Sequence, residues 1–288
     1  MSSIAAPVSQ PLLRARKRMD ARILFGGGLL VMIILAAIVG PLVVAHDPLQ
    51  LNLENRLEGP SARFPLGTDE VGRDILSRLL SGLRPALLAG VAAVLVAAVA
   101  GTLIGLSAAF LGGLYETFSM RVVDLLLAWP AVFLALGIVL LVGPGPLNVI
   151  LAIGIAETPV FARLTRSIAL GQLQGEHVEA ARSMGASGAR IMRLHILPFA
   201  LVPLVVQLAI AAPIAFISEA SLSFLGLGSQ PPFASLGAML SVAQEYLAIA
   251  PTYTIFPAAV IGIMVLSLTV LADGVQDALD PRHSRTLR

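Results

Sequence analysis

The chain contains no cysteine, which removes thiol nucleophiles, disulfides and cysteine-ligated zinc together. Lysine occurs once, at Lys17, so no G-x-x-x-x-G-K-[ST] phosphate loop exists in the sequence. ATP-driven work by this protein therefore requires an ATPase on another polypeptide. The four histidines, His46, His177, His195 and His283, show no metal-ligand spacing, and no metal or cofactor is expected. Charged residues make up only 12% of the chain, and the net charge of +2 is too small for a nucleic-acid surface. No Ser/His/Asp set, HExxH or carboxylate pair stands at catalytic spacing, which disfavours a membrane-embedded enzyme such as a lipid-modifying transferase.

Apolar residues fill the space that charge leaves. They form 57% of the 288 residues, and the mean hydropathy is +0.90. Several apolar runs reach the roughly 20 residues that cross a hydrocarbon core, so an all-α polytopic membrane protein is expected rather than a barrel of short alternating strands. Six spans are predicted: Ile23–Val44, Pro85–Phe110, Val122–Val142, Val149–Ala169, Phe199–Ile217 and Thr254–Leu271. The first is longer than the h-region of a signal peptide, although Val43-Val44-Ala45 would pass as a cleavage site, and an uncleaved anchor is favoured. Gly101 and Gly105 in the second span form a G-x-x-x-G pair suited to close helix packing. The fifth is expected to be broken by Pro203 and Pro213 and to give way to an irregular outer segment at Ser218–Ser241.

The layout divides the chain into a tail (1–22), an anchor helix (23–44), an extracytoplasmic segment (45–84), a core of five spans (85–273) and a second tail (274–288). Within 45–84, Thr68 is placed to cap an amphipathic surface helix, and Asp69, Glu70, Arg73 and Asp74 read as its solvated, ion-paired face. Basic residues fix the sidedness. With both termini inside, 14 of the 19 Lys and Arg are cytoplasmic, and the other five, Arg56, Arg63, Arg73, Arg78 and Arg84, share one outer loop.

Between the fourth and fifth spans lies a polar loop, 170–198, containing EHVEAARSMGASGARIMRLHILP. Glu176 and Glu179 suit the first turn of a short helix, Gly185 follows as its stop, and Ser187 can cap the next one. Ala180, Ala181 and Gly185 offer a strip with little side-chain bulk, bordered by Glu179, Arg182 and Ser183, as expected of a docking helix.

Glu179-Ala180-Ala181, then Gly185 and Leu197-Pro198, resembles the EAA loop of ABC importer membrane subunits, with His195 where an isoleucine is usual. Leu66-Gly67-Thr68-Asp69-Glu70 through Arg78, the run from Glu219 to Pro232, and the ADGVQDALDPR tail resemble the dipeptide, oligopeptide and nickel branch, specifically its C-type permease subunits. Leu236 stands where tryptophan is common.

The resemblance implies a type I ABC importer permease fold in a bacterial or archaeal inner (plasma) membrane. It also implies coupling to an ATPase through Glu176, Glu179, Ala180, Ala181, Arg182 and Gly185. The partners it implies are a homologous second permease subunit, one or two ABC ATPase polypeptides, an extracytoplasmic solute-binding protein and membrane lipid, with no nucleic acid. Peptides or related small solutes, including nickel chelates, are the cargo class.

Four acids fall in or at the edges of spans: Asp124, Glu157, Glu219 and Asp273. Charge at mid-bilayer costs about 2.5–3.5 kcal/mol, so each needs a partner, water or an interfacial position. Glu157 is the deepest, and with Glu219 it is a candidate for the translocation pathway. The rival class is a self-contained secondary transporter or channel using Glu157 for ion coupling, but no inverted repeat of the kind many such proteins carry is evident.

Overall fold

A computed structural model describes residues 21–279, and these fold almost entirely as helices. The N-terminal basic cluster (Arg14, Arg16, Lys17 and Arg18) and the last three arginines lie outside the described residues.

Helix α1 (Ala21–Val43) is apolar around nearly its whole circumference, as a lipid-embedded rod must be. Its inward strip is Gly26, Ile33, Ala37 and Gly40. A Cβ at Gly26 would stand 2.6 Å from the backbone nitrogen of Leu271, so α1 and the last helix, α10 (Pro251–Leu279), meet backbone to backbone. Arg22 and Asp277 close the far end of that pair at 2.7 Å.

The segment that follows corrects one expectation. Thr68 caps no helix: its hydroxyl accepts from the Glu58 N–H at 2.8 Å and donates to the Asn55 carbonyl, pinning the loop instead. The helix starts at Ile75, capped by Asp74, which accepts from the Ser77 N–H at 3.1 Å. It then runs through Pro85 without a break, so the amphipathic helix and the second span are one 37-residue helix, α2 (Ile75–Leu111). Helices in a membrane can carry proline without breaking where other groups re-satisfy the freed carbonyl.

The acidic cluster is not a solvated face either. Asp69 is fully buried. It accepts from the Val71 N–H (3.0 Å), the Arg73 N–H (2.8 Å) and Arg73 Nε (2.5 Å), with Arg78 Nε at 3.4 Å. Glu70 accepts from Arg73 Nη2 at 2.7 Å and from the Tyr253 hydroxyl at the start of α10. Arg78 reaches the carbonyls of Pro48 (3.1 Å) and Pro232 (3.5 Å). The network thus staples the outer segment to α10 and to the last outer loop. Asp69 and Glu70 have donors enough to be held in a dry site, whereas Asp74 Oδ1 is buried without a hydrogen bond among the described residues.

Helix α5 (Pro146–Leu173) packs along α2 on a seam of small residues. A Cβ at Gly101 would stand 2.5 Å from Phe161 Cβ and 2.6 Å from the Thr158 carbonyl, and one at Gly105 would strike the Ala162 carbonyl. The G-x-x-x-G reading therefore holds, with α5 as its partner.

The third span is not one rod. It divides into α3 (Gly113–Leu127) and α4 (Ala131–Val142), bent by 98°. Pro130 sits at the break and biases Trp129 away from helical backbone. Asp124 and Glu116 on α3 pair with Arg163 (2.5 Å) and Arg166 (2.5 Å) on α5.

Beyond the polar loop, α8 (Leu197–Phe224) passes through Pro203 and Pro213 unbroken and extends seven residues past Ile217, so Glu219 is helical rather than in an irregular segment. A short α9 (Leu236–Ala243) precedes α10. Among the described residues five helical rods are long and apolar enough to cross a membrane, or six if the bent α3–α4 pair is taken as one span.

Candidate coupling surface and intramembrane groups

The polar loop folds as a sharp elbow. Helix α5 ends at Leu173, the Gly175 N–H returns to the Gln172 carbonyl at 2.9 Å, and α6 (Glu176–Ser183) begins at once. Glu176 and Glu179 in its first turn and Arg182 in its last complement the helix dipole. Its C-terminus is a Schellman turn: the Ala186 N–H reaches the Ala181 carbonyl (3.0 Å) and the Gly185 N–H reaches the Arg182 carbonyl (2.9 Å). Gly185 has φ +78°, a conformation in which a Cβ is strained.

A four-residue turn, α7 (Gly188–Ile191), then passes through a π-helical stretch, Met192–Ile196, into α8. Pro198 supplies no N–H to the Leu194 carbonyl, and the ladder shifts register just upstream, with the Leu197 N–H bonding the Met192 carbonyl. Ser187 occupies the start of α7, but its side chain makes no capping bond.

Helix α6 has two faces. Val178 and Ala181 (2% exposed) are sealed against Leu106, Ala109, Ala169, Ile191 and Ile196. Glu176, His177, Glu179, Ala180, Arg182, Ser183 and Met184 are exposed. The small-residue strip expected from the sequence is therefore split. Ala180 lies outward, Ala181 serves as a seat within the chain, and Gly185 makes the terminal turn.

Met184, 81% exposed at the tip, was missed by sequence reasoning. The signal was present in its position immediately before Gly185, where the side chain of a C-cap residue has nothing of its own helix to cover it. Glu176, Glu179 and Arg182 make no ion pair among the described residues, which leaves their charges open to another molecule.

The two acids proposed for a pathway lie apart from this elbow and from each other. Glu157 is buried on α5 and has no hydrogen-bond or ion-pair partner among the described residues. Glu219 is buried near the other end of α8, accepting from the Ser223 hydroxyl at 2.7 Å. Asp124, by contrast, is half-exposed and neutralised by Arg163.

A bundle of membrane-length helices that carries a polar elbow with one open face, and no nucleotide-binding loop of its own, defines a permease component that works with separate subunits. The chain belongs to the binding-protein-dependent transport system inner membrane component family, which matches residues 101–285. It is thus a multi-pass inner-membrane permease subunit of a binding-protein-dependent ABC importer, not itself an ATPase, and the family implies ATPase and binding-protein partners.

It is 40% identical over 264 residues to the di/tripeptide transport system permease protein DppC of Pseudomonas aeruginosa (strain UCBPP-PA14), covering 89% of this chain and 87% of the relative. It is 43% identical over 260 residues to the glutathione transport system permease protein GsiD of Salmonella typhimurium (strain LT2), covering 90% and 86%. Among solved structures, the crystal structure of an amino acid ABC transporter with histidines superposes with a TM-score of 0.51 at 21% identity over 68% of this chain and 91% of that one, a likeness of fold alone.

Proposed function

We propose that this chain forms half of a pore for small peptides, glutathione-like molecules included, and that α6 is the surface through which a separate ATPase moves it. The observation that carries the coupling role is the two-faced seating of α6. Val178 and Ala181 seat it against the ends of α2 and α5 and against the turn that leads into α8, so a push on its open face is delivered to the ends of membrane helices. Glu176, Glu179 and Arg182 offer polar contacts, Ala180 allows close approach, Met184 supplies an adaptable apolar knob, and Gly185 fixes the turn that presents it.

The other half of the pore is a homologous second permease subunit. The apolar stripe Leu114, Phe118, Val122 and Leu125 on α3, continued by Trp129 at the break, is uncovered among the described residues and suits such a neighbour. One or two ATPase polypeptides lie below, and a solute-binding protein delivers cargo above. ATP-driven closure of the ATPase pair biases the spans between inward- and outward-open states. Peptide cargo is the reading favoured by relatives that carry di/tripeptides and glutathione.

The test uses the assembled transporter in proteoliposomes. Gly185→Trp and Met184→Asp should insert normally yet lose peptide uptake, with ATP hydrolysis no longer stimulated by loaded binding protein, by at least about tenfold for the loss of one interface anchor. Normal uptake by Gly185→Trp would overturn the coupling role.

A further inference from the structure

Glu219 borders a small chamber in an otherwise apolar bundle. A cavity of about 180 Å³ lies between one end each of α2, α5 and α8 and the loop that leads to α9, lined in part by Pro85, Pro146, Ser229, Ser235 and Glu219. By the placement of basic residues this is the outer end. The walls are tightly built. A Cβ at Gly237 would strike the Ala220 carbonyl, and one at Gly228 would strike the Ser223 hydroxyl, so the loop is pressed directly onto the turn of α8 that carries Glu219.

Two polar groups in this chamber are left incomplete by the chain. Glu219 is only 8% exposed, and the hydrogen bond from Ser223 to Oε1 is the one its carboxylate makes among the described residues. No arginine or histidine of the described residues pairs with it. Ser235 is 4% exposed, and its Oγ has no hydrogen-bond partner among the described residues. Although Ser235 stands at the N-cap of α9, its side chain does not cap that helix. A buried carboxylate with a single hydrogen bond, bordering an open space, is costly unless something else satisfies it.

The missing group must be a cation or a hydrogen-bond donor, and small enough for the space. A single carboxylate is too little for a divalent ion that takes six to eight oxygens. A primary ammonium, with three donors and one charge, matches a lone carboxylate that has acceptor sites to spare. We infer that this chamber is a cargo subsite for a primary ammonium group, the free amino terminus of a small peptide, with Glu219 as its counter-ion. The inference rests on the reading of the chain as half of a peptide pore.

The first arm uses the unaltered transporter in nanodiscs. Glycinamide at millimolar concentration should slow the reaction of Glu219 with dicyclohexylcarbodiimide by at least about tenfold, the scale of a charged hydrogen bond, read by mass spectrometry as the loss of the unmodified Glu219 peptide with N-acylurea and glycinamide-amide products counted together. N-acetylglycinamide should not. Equal protection by both, or by neither, overturns the subsite. In the second arm, Glu219→Gln should cut uptake of a free-amine dipeptide about tenfold while stimulation of ATPase by loaded binding protein persists, and Glu219→Asp should recover part of the uptake. Unchanged uptake in Glu219→Gln overturns the inference. Joint loss of uptake and stimulation marks a structural role for that side chain, which also overturns it unless the first arm shows amine-selective protection. If glycinamide protects but the wild-type transporter carries no peptide, the chamber stands and the peptide cargo falls.

Discussion

At Gly101 and Gly105 the distance between two helix backbones leaves no room for a side chain. Any Cβ there would meet backbone or Cβ atoms of α5, which cannot move aside as the end of a flexible side chain could. Gly137 on α4, with nothing within 4 Å of an added Cβ, is the internal control. Gly105→Val should destabilise the detergent-solubilised chain by about 1–3 kcal/mol or more through overpacking, seen as a lower melting temperature, while Gly137→Ala should leave it nearly unchanged.

This seam was legible in the sequence because a four-residue spacing is local information. The outer ion network was not. Its residue types were plain, but Glu70 is completed by Tyr253, 183 positions away, and no periodicity reports a partner at that distance. The same holds for Arg163 and Arg166, whose acids lie on α3. An isolated acidic cluster reads as solvated until the fold shows what covers it.

Among the elements, the elbow was the most readable, because acidic first turn, small residues and a stopping glycine are all signals within one or two turns of helix. The orientation of α6 was less so. Which of Ala180 and Ala181 faces outward depends on where Leu106, Ala109 and Ala169 stand, and those belong to other helices. Likewise the break at Pro130 was passed over in an apolar run long enough to span, whereas Pro85, Pro203 and Pro213 lie inside unbroken helices, and residue type alone does not separate the two cases.

One contact shows how firmly the elbow is held. Gly188 opens α7 directly beneath the ring of Phe110 at the end of α2, and a Cβ there would overlap that ring. Gly188→Val should therefore push α7 and the Schellman turn away from α2 and reduce binding-protein-stimulated ATP hydrolysis several-fold while leaving membrane insertion intact. Adding Phe110→Ala to the same chain should restore much of the stimulation, since the space the valine needs is then free. Double-mutant analysis of ATPase rates in the assembled transporter checks this: purely additive losses would show that the two residues do not share the contact.

For the whole molecule, the decisive quantity is orientation, because an elbow on the wrong side of the membrane can meet no cytoplasmic ATPase. The basic-residue count favours the inside for both tails and the elbow, by 14 to five. Much of that majority sits in the terminal segments, so the arrangement is worth measuring directly, and a chain without native cysteine is already prepared for it. Leu53 in the outer segment is 70% exposed and Met184 at the tip of α6 is 81% exposed, and neither contributes to a packed core, so a cysteine at either should cost under about 0.5 kcal/mol. On intact cells, a membrane-impermeant maleimide should label Leu53→Cys and leave Met184→Cys unmodified. Permeabilisation should then expose Met184→Cys to the same reagent. Labelling of Met184→Cys from outside would place α6 on the extracytoplasmic face and remove the physical basis for its role as the receiver of force from an ATPase.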